Sequence, residues 1–360
     1  MHNPFTPTFG SIPVELAGRQ QLIEDVLEGL RNRSGDPNRS TIFVGAQGTG
    51  KTVLLATIAR RAENEGWLSS DVTAREGMLG EILVQTRDKG QHLLEPETLT
   101  RLSSLHVGPL GIALERNTQP STWRSEMTRI VKELNDKGTG LLITVDEVSV
   151  KLDEMRILIE VYQHFIREGR DVALLLAGLP HNVSMLLRND EISFLRRAFR
   201  HSLEAIETNE VAYAMRETIE SSNRTIEPEA LRVAAEATQG FAFLVQLVGY
   251  HMWRQHPQEP AISADDAHAG IAFAKRHMDE MVIEPTLVDL SPRELEFLEV
   301  MAKSPNRMRV ADIAQSMGID PNNASKVRKR LVERGIIGAR GRGAVGFDMP
   351  MLQEYLREQL

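Results

Sequence analysis

Residues 45–52 read Gly-Ala-Gln-Gly-Thr-Gly-Lys-Thr, a complete G-x-x-x-x-G-K-T phosphate-binding loop. The apolar run Thr41-Ile42-Phe43-Val44 before it predicts a buried strand, and Val53–Ala59 after it predicts a helix. This strand-loop-helix setting separates a working loop from a chance match. The glycines let backbone N–H groups converge on an anion, and the helix that follows turns its positive end toward it. Gly45, Ala46, Gln47, Gly48, Thr49, Gly50, Lys51, Thr52 and Val53 are therefore expected to hold a nucleotide, ATP with Mg²⁺. Lys51 would reach the β- and γ-phosphates and Thr52 would ligate the metal.

The run Leu141-Leu142-Ile143-Thr144-Val145 predicts a parallel strand covered on both faces, and it ends in Asp146-Glu147. An Asp at the carboxyl end of a strand beside the loop strand can hold Mg²⁺ through water. A Glu directly after it can polarise an attacking water. Asp146 is the second expected metal residue, and Glu147 is the expected catalytic one together with Lys51.

The chain has 360 residues, enough for two or three domains, with 41% hydrophobic and 26% charged residues. That composition builds an ordinary core and excludes disorder. No apolar run approaches the roughly 20 residues of a membrane span. Met1–Pro7 lacks a basic start and an apolar stretch, so no secretory signal is expected. There is no cysteine, which excludes disulfides, thiolate catalysis and Cys-ligated zinc. These features together point to the cytoplasm. The net charge is −8, but from Lys303 to Arg342 there are ten basic residues and three acidic ones. Such local asymmetry suits a nucleic-acid contact surface.

Along the chain, a helix starts near Gly18-Arg19, with Leu22, Ile23, Val26, Leu27 and Leu30 on one stripe. Asn32–Asn38 reads as a loop, and Val72-Thr73-Ala74 as a second strand. Residues 105–117 suggest an insertion with a short hairpin. Trp123–Leu134 reads as a helix. Another follows with Leu152, Met155, Leu158, Ile159, Tyr162, Phe165 and Ile166 on one face, and Val172–Ala177 is a further buried strand. Strands alternating with helices mean a doubly wound α/β sheet. From about Asn209 to Glu284 the pattern is helical only, which suggests a lid. Ile283–Leu290, with Pro285, reads as a linker.

The remaining residues suggest a separate unit. Ser291-Pro292-Arg293-Glu294 is a capping box with Pro at the first helical position. A short helix over Val310–Met317, a turn at Gly318 and a third helix from Pro321-Asn322 to Arg334 follow. Gly335–Ile337 and Gly343–Phe347 read as two strands flanking Arg340-Gly341-Arg342. The sum is a helix-turn-helix with a wing. On a helical wheel Ala324, Val327 and Leu331 share a buried face. Asn322, Ser325, Lys326 and Lys329 lie opposite, flanked by Arg328 and Arg330. Asn322, Ser325, Lys326, Lys329, Arg330, Arg340 and Arg342 are thus the expected contacts to duplex DNA. The alternative use of such a unit is protein interaction.

On these motifs nearly the whole chain resembles the AAA+ ATPases, in particular the archaeal origin-recognition and loader-type proteins. The resemblance implies an ATP-binding α/β domain over 1–207, a helical lid over 208–287 and a winged helix over 288–360, in a homo-oligomer that hydrolyses ATP. It implies that Gly18 and Arg19 lie near the adenine, lined by Val14, Leu16 and Ala17. It also implies a trans arginine finger at Arg196 or Arg197, and a sensor-1 residue at His181 or Asn182. One departure stands out. A sensor-2 arginine is expected after the glycine that opens a lid helix, but Gly240-Phe241-Ala242-Phe243 offers Phe243 there. Hydrolysis is therefore expected to be slow. Two rival readings are a signalling ATPase of the STAND type, locked by nucleotide, and a transposition- or phage-type regulator.

Overall fold

Three uninterrupted apolar runs, together with two less obvious segments, become the strands of one sheet. The structure, a computed structural model, describes residues 2–8, 13–32, 35–100, 120–149, 152–304 and 307–360. The strands are β1 (Ser40–Gly45), β2 (Leu68–Thr73), β3 (Leu141–Asp146), β4 (Val172–Gly178) and β5 (Phe199–Leu203). All pair in parallel, in the order β2-β3-β4-β1-β5. Residues 141–145 and every residue of β4 are buried, as a strand covered on both faces must be. Helices Lys51–Asn64, Met78–Gly90, Pro120–Asp136, Asp153–Arg167 and Pro180–Arg188 accompany the sheet.

The strand order corrects the sequence reading. β3 was expected beside β1, but β4 lies between them: Thr41 pairs with Leu175, and Ile143 pairs with Leu174 on its other side. At about 4.8 Å per strand, the ends of β1 and β3 are some 9–10 Å apart. Asp146 is therefore reached across that gap from the helix that follows the loop. The second strand also starts earlier than expected, at Leu68.

The chain divides into two compact units: one holds 19–45 and 51–203, the other 1–18, 46–50 and 204–360. The second unit carries helices Thr208–Glu220, Pro228–Ala237, Ala242–Trp253 and Ala264–Met278. It is not helical only, because Thr225–Ile226 and Ala261–Ile262 form a short parallel ladder. The stretch expected as a linker is helical as well. Ala264–Met278 runs through a π-turn at Asp279–Ile283 into Glu284–Val288. A proline lacks the N–H that an α-turn needs, and the wide turn immediately before Pro285 accommodates that defect. Helices Pro292–Ala302, Val310–Ser316 and Pro321–Glu333 follow. Next comes a hairpin of Ile337–Ala339 and Ala344–Phe347, joined by Met308–Arg309. A last helix, Leu352–Gln359, had no signal in the sequence reading. It is tied back by Gln239 Nε2 to Glu354 Oε1 at 3.0 Å and by the Lys275–Glu358 pair. One apolar core runs through this unit, from Val211 and Leu247 to Phe297, Leu331 and Leu352. The insertion expected at 105–117 lies outside the described residues.

Candidate nucleotide-binding site

The loop after β1 turns on two glycines in the left-handed region, Gly48 (φ 81°) and Gly50 (φ 89°). Side chains with a Cβ avoid that region, so these positions suit glycine. Thr49 Oγ1 donates to Ala46 O at 2.9 Å and closes the turn. Lys51 opens the next helix, and its Nζ donates to Gly45 O at 3.0 Å. Burial holds the Lys51 ammonium below its ordinary pKa, and the Asp146 and Glu147 carboxylates only partly offset this. Thr52 Oγ1 donates to Asp146 Oδ2 at 2.5 Å, joining two segments 94 residues apart. The other Asp146 oxygen accepts the Glu147 N–H at 2.8 Å. Glu147 takes a left-handed backbone (φ 54°), and its side chain is exposed. Next to it, the Val148 N–H donates to Ala177 O at 2.9 Å and ties this corner to β4.

Residues 46–50 cluster with the second unit. The helix Ala242–Trp253 begins against them: the Phe243 N–H donates to Gly48 O at 3.3 Å. A Cβ at Gly50 would lie 3.1 Å from the Ala242 Cβ. Phe241 and Phe243 thus stand where the phosphate loop turns, with no cation among the first residues of that helix. Gly18 lies against Glu210 and Ile206. Leu16 and Ala17 are buried, whereas Val14 is 61% exposed. Arg19 immediately precedes the Gln20–Arg31 helix and is half-buried.

The structure superposes on the Walker-type ATPase of Pyrococcus abyssi with a TM-score of 0.68, at 14% identity over 95% of this chain and 96% of that one. For the ADP form of the Aeropyrum pernix ORC2 protein the TM-score is 0.56, at 16% identity over 98% and 96%. For Cdc6p from Pyrobaculum aerophilum it is 0.53, at 14% identity over 98% of both chains. The chain's fold is that of these solved structures. No curated protein sequence matches the chain. Residues 280–356 match a family described as "Domain of unknown function (DUF8462)".

In this parallel sheet β4 lies between the loop strand and the Asp-Glu strand, and the residues after it follow at the same end of the sheet. His181 and Asn182 sit in the first turn of Pro180–Arg188. The two expected finger residues behave differently. Arg196 is engaged, donating to Leu187 O at 2.9 Å and pairing with Asp190 at 2.7 Å. Arg197 is exposed and makes no side-chain hydrogen bond or ion pair among the described residues. Sequence reasoning missed Glu154. Its carboxylate accepts the N–H groups of Gly77 (2.7 Å) and Leu79 (2.8 Å), fastening the helix after Glu147 to the start of Met78–Gly90. Its signal was a pair of acids, Asp153-Glu154, in a first helical turn.

In the C-terminal part of the chain, Ala324, Val327 and Leu331 are buried, while Asn322, Ser325, Lys326, Lys329 and Arg330 are exposed on Pro321–Glu333. Lys329 approaches Glu333 at 3.9 Å. Arg342 is exposed at the hairpin turn. Arg340 is turned back: its guanidinium donates to Phe347 O at 2.9 Å and pairs with Asp348 at 2.5 Å. Gly338 and Gly346 leave the space for it, since a Cβ at either would lie within 3.0 Å of this pair.

Proposed function

We propose that this chain is an ATP-driven switch that hydrolyses ATP slowly and acts on duplex DNA through residues 288–360. The observation that carries the reading is the meeting of Thr52 and Asp146 at 2.5 Å, directly beside Lys51 and Glu147. Mg²⁺ takes oxygen ligands in an octahedral shell with retained waters, and a hydroxyl and a carboxylate at this spacing fit it. Bound there, the ion would neutralise charge on the phosphates. Lys51, already directed at the loop by Gly45 O, would add a positive charge opposite the terminal phosphate. Glu147, exposed beside Asp146, would accept a proton from the attacking water.

We read 1–207 as the nucleotide domain, 208–287 as the lid and 288–360 as a winged helix. The support for DNA is the exposed row Asn322, Ser325, Lys326 and Lys329, on a basic stretch of an otherwise acidic chain. Arg342 would extend that row along the hairpin turn. The nucleotide would set how neighbouring copies meet, with Arg197 reaching across. The apolar start of Ala242–Trp253 favours a second reading, a signalling switch of the STAND type that nucleotide locks without turnover. Glu147→Gln separates the two. On the first reading the variant keeps ATP affinity in calorimetry and loses the phosphate release that the wild type shows. A wild type that binds ATP and releases no phosphate overturns the first reading in favour of the second.

A further inference from the structure

A second cationic surface lies away from the Pro321–Glu333 helix, on the face shared by Ala242–Trp253 and Ala264–Met278. Phe273 is 44% exposed there and stacks on His251, with centroids 5.9 Å apart and planes at 11°. The Arg276 guanidinium lies over Phe273 at 4.5 Å. Arg254 lies over Tyr250 at 5.3 Å and donates to its hydroxyl. His277 stands edge-on to His251 at 5.6 Å. Neither Arg254 nor Arg276 makes an ion pair among the described residues. Ala242–Trp253 contains no acid at all. Besides burial, the groups that act on the His251 ring are His277, Arg254 and Arg276, all of one sign. The next acid along the chain, Asp279, has Lys275, Glu358, Glu284 and Glu280 as its charged neighbours instead.

Unpaired exposed cations on a chain of net charge −8 suit an anionic partner, and the exposed guanidinium planes narrow its kind. Nucleobases stack on aromatic rings and on guanidinium planes while phosphates take the charge. An acidic peptide would use the charge and leave the planes idle. We propose that this face binds a single strand of nucleic acid, with bases on the outward planes of Arg276 and Arg254, which Phe273 and Tyr250 back, and against the exposed edge of Phe273, and with phosphates paired to those guanidiniums and to His277. In duplex DNA the bases are already stacked on one another, so this surface is distinct in substrate from the Pro321–Glu333 helix.

The test uses the full chain and fluorescence anisotropy with a fluorescein-labelled thymidine strand of about twenty nucleotides, long enough for a single-strand site. Phe273→Ala and Arg276→Ala, both at exposed positions, should each weaken binding by roughly fivefold to a hundredfold. Phe273→Trp should restore it. On an abasic strand of equal length, Phe273→Ala should have no effect, because only the stacking is gone. Lys326→Ala/Lys329→Ala should leave the single strand bound as in wild type, whatever it does to duplex, so failure of the duplex reading does not touch this one. The proposal falls if the wild type does not bind the strand at low salt. It falls equally if Phe273→Ala and Arg276→Ala bind it like wild type, or if those variants lose only a fluorescent polyglutamate peptide.

Discussion

Replacing Lys51 with methionine should separate the stability of the protein from its response to ATP. Methionine keeps an unbranched stem and deletes the charge. In the folded protein the ammonium is held below its ordinary pKa by burial, so its charged form is disfavoured there. Deleting a charge that burial disfavours recovers some stability. Against that, Gly45 O loses the donor it has at 3.0 Å, a loss of about 1 kcal/mol. The two effects oppose each other, so unliganded Lys51→Met should unfold within about 1 kcal/mol of wild type. The ATP response should collapse. Two charge-assisted hydrogen bonds to phosphate at about 1.5 kcal/mol each correspond to roughly a hundredfold in affinity. With ATP at about 100 times its Kd, the wild type gains about 2.7 kcal/mol, and the variant about 0.4. In thermal unfolding of a 360-residue chain this is a shift of roughly 3–4 °C against about 0.5 °C. pH gives a second check. Between the lowered folded pKa and 10.5 the unfolded chain still holds the Lys51 proton and the folded one does not. Apo stability should therefore rise with pH across that window, while ATP affinity falls, and both trends should vanish in Lys51→Met. A variant that keeps the ATP-induced shift, or loses several kcal/mol without ligand, refutes the reasoning.

Arg39→Ala should cost roughly 3 kcal/mol or more in urea unfolding. This buried side chain donates to the carbonyls of Gly29, Leu30 and Asn32 and pairs with Asp171 at 2.7 Å, so its loss strands acceptors at a helix end. Arg197→Ala should abolish turnover, and mixing with Lys51→Ala subunits should recover part of it; Arg196→Ala, whose guanidinium is already engaged, should lose far less phosphate release. On duplex DNA, Arg342→Ala should reduce the salt slope by about one, whereas Arg340→Ala should leave it unchanged in filter-binding titrations.

The strands β1, β3 and β4 were legible because both faces are covered and their residues are almost all apolar. β2 was half hidden for the opposite reason. It is an edge strand whose polar residues are used: Gln85 Nε2 donates to Asp71 O at 2.9 Å, and Gln85 Oε1 accepts the Asp71 N–H at 2.8 Å. A side-chain amide there substitutes for a neighbouring strand, which no apolar pattern announces. The loop glycines, Lys51, Thr52 and Asp146 were readable as a set, since spacing fixes their chemistry. Strand order was not, because nothing in the run Val172–Ala177 says which neighbours it takes. The engagement of Arg340 was invisible too, since it depends on two glycines and on Asp348 beyond the hairpin. Pro285 read as a break because an α-turn cannot satisfy it, and a π-turn can.

Through that π-turn the residues 264–288 run as one unbroken helical stretch. At 1.5 Å per residue it is about 37 Å long, so a tilt of roughly 10° at its start sweeps its far end through about 6 Å. Its start is pinned by the Ser263–Asp266 capping box, and its end leads within three residues to the Ser291–Glu294 box. Such a member would act as a lever between the helices of residues 208–253 and the helix Pro321–Glu333 with its hairpin.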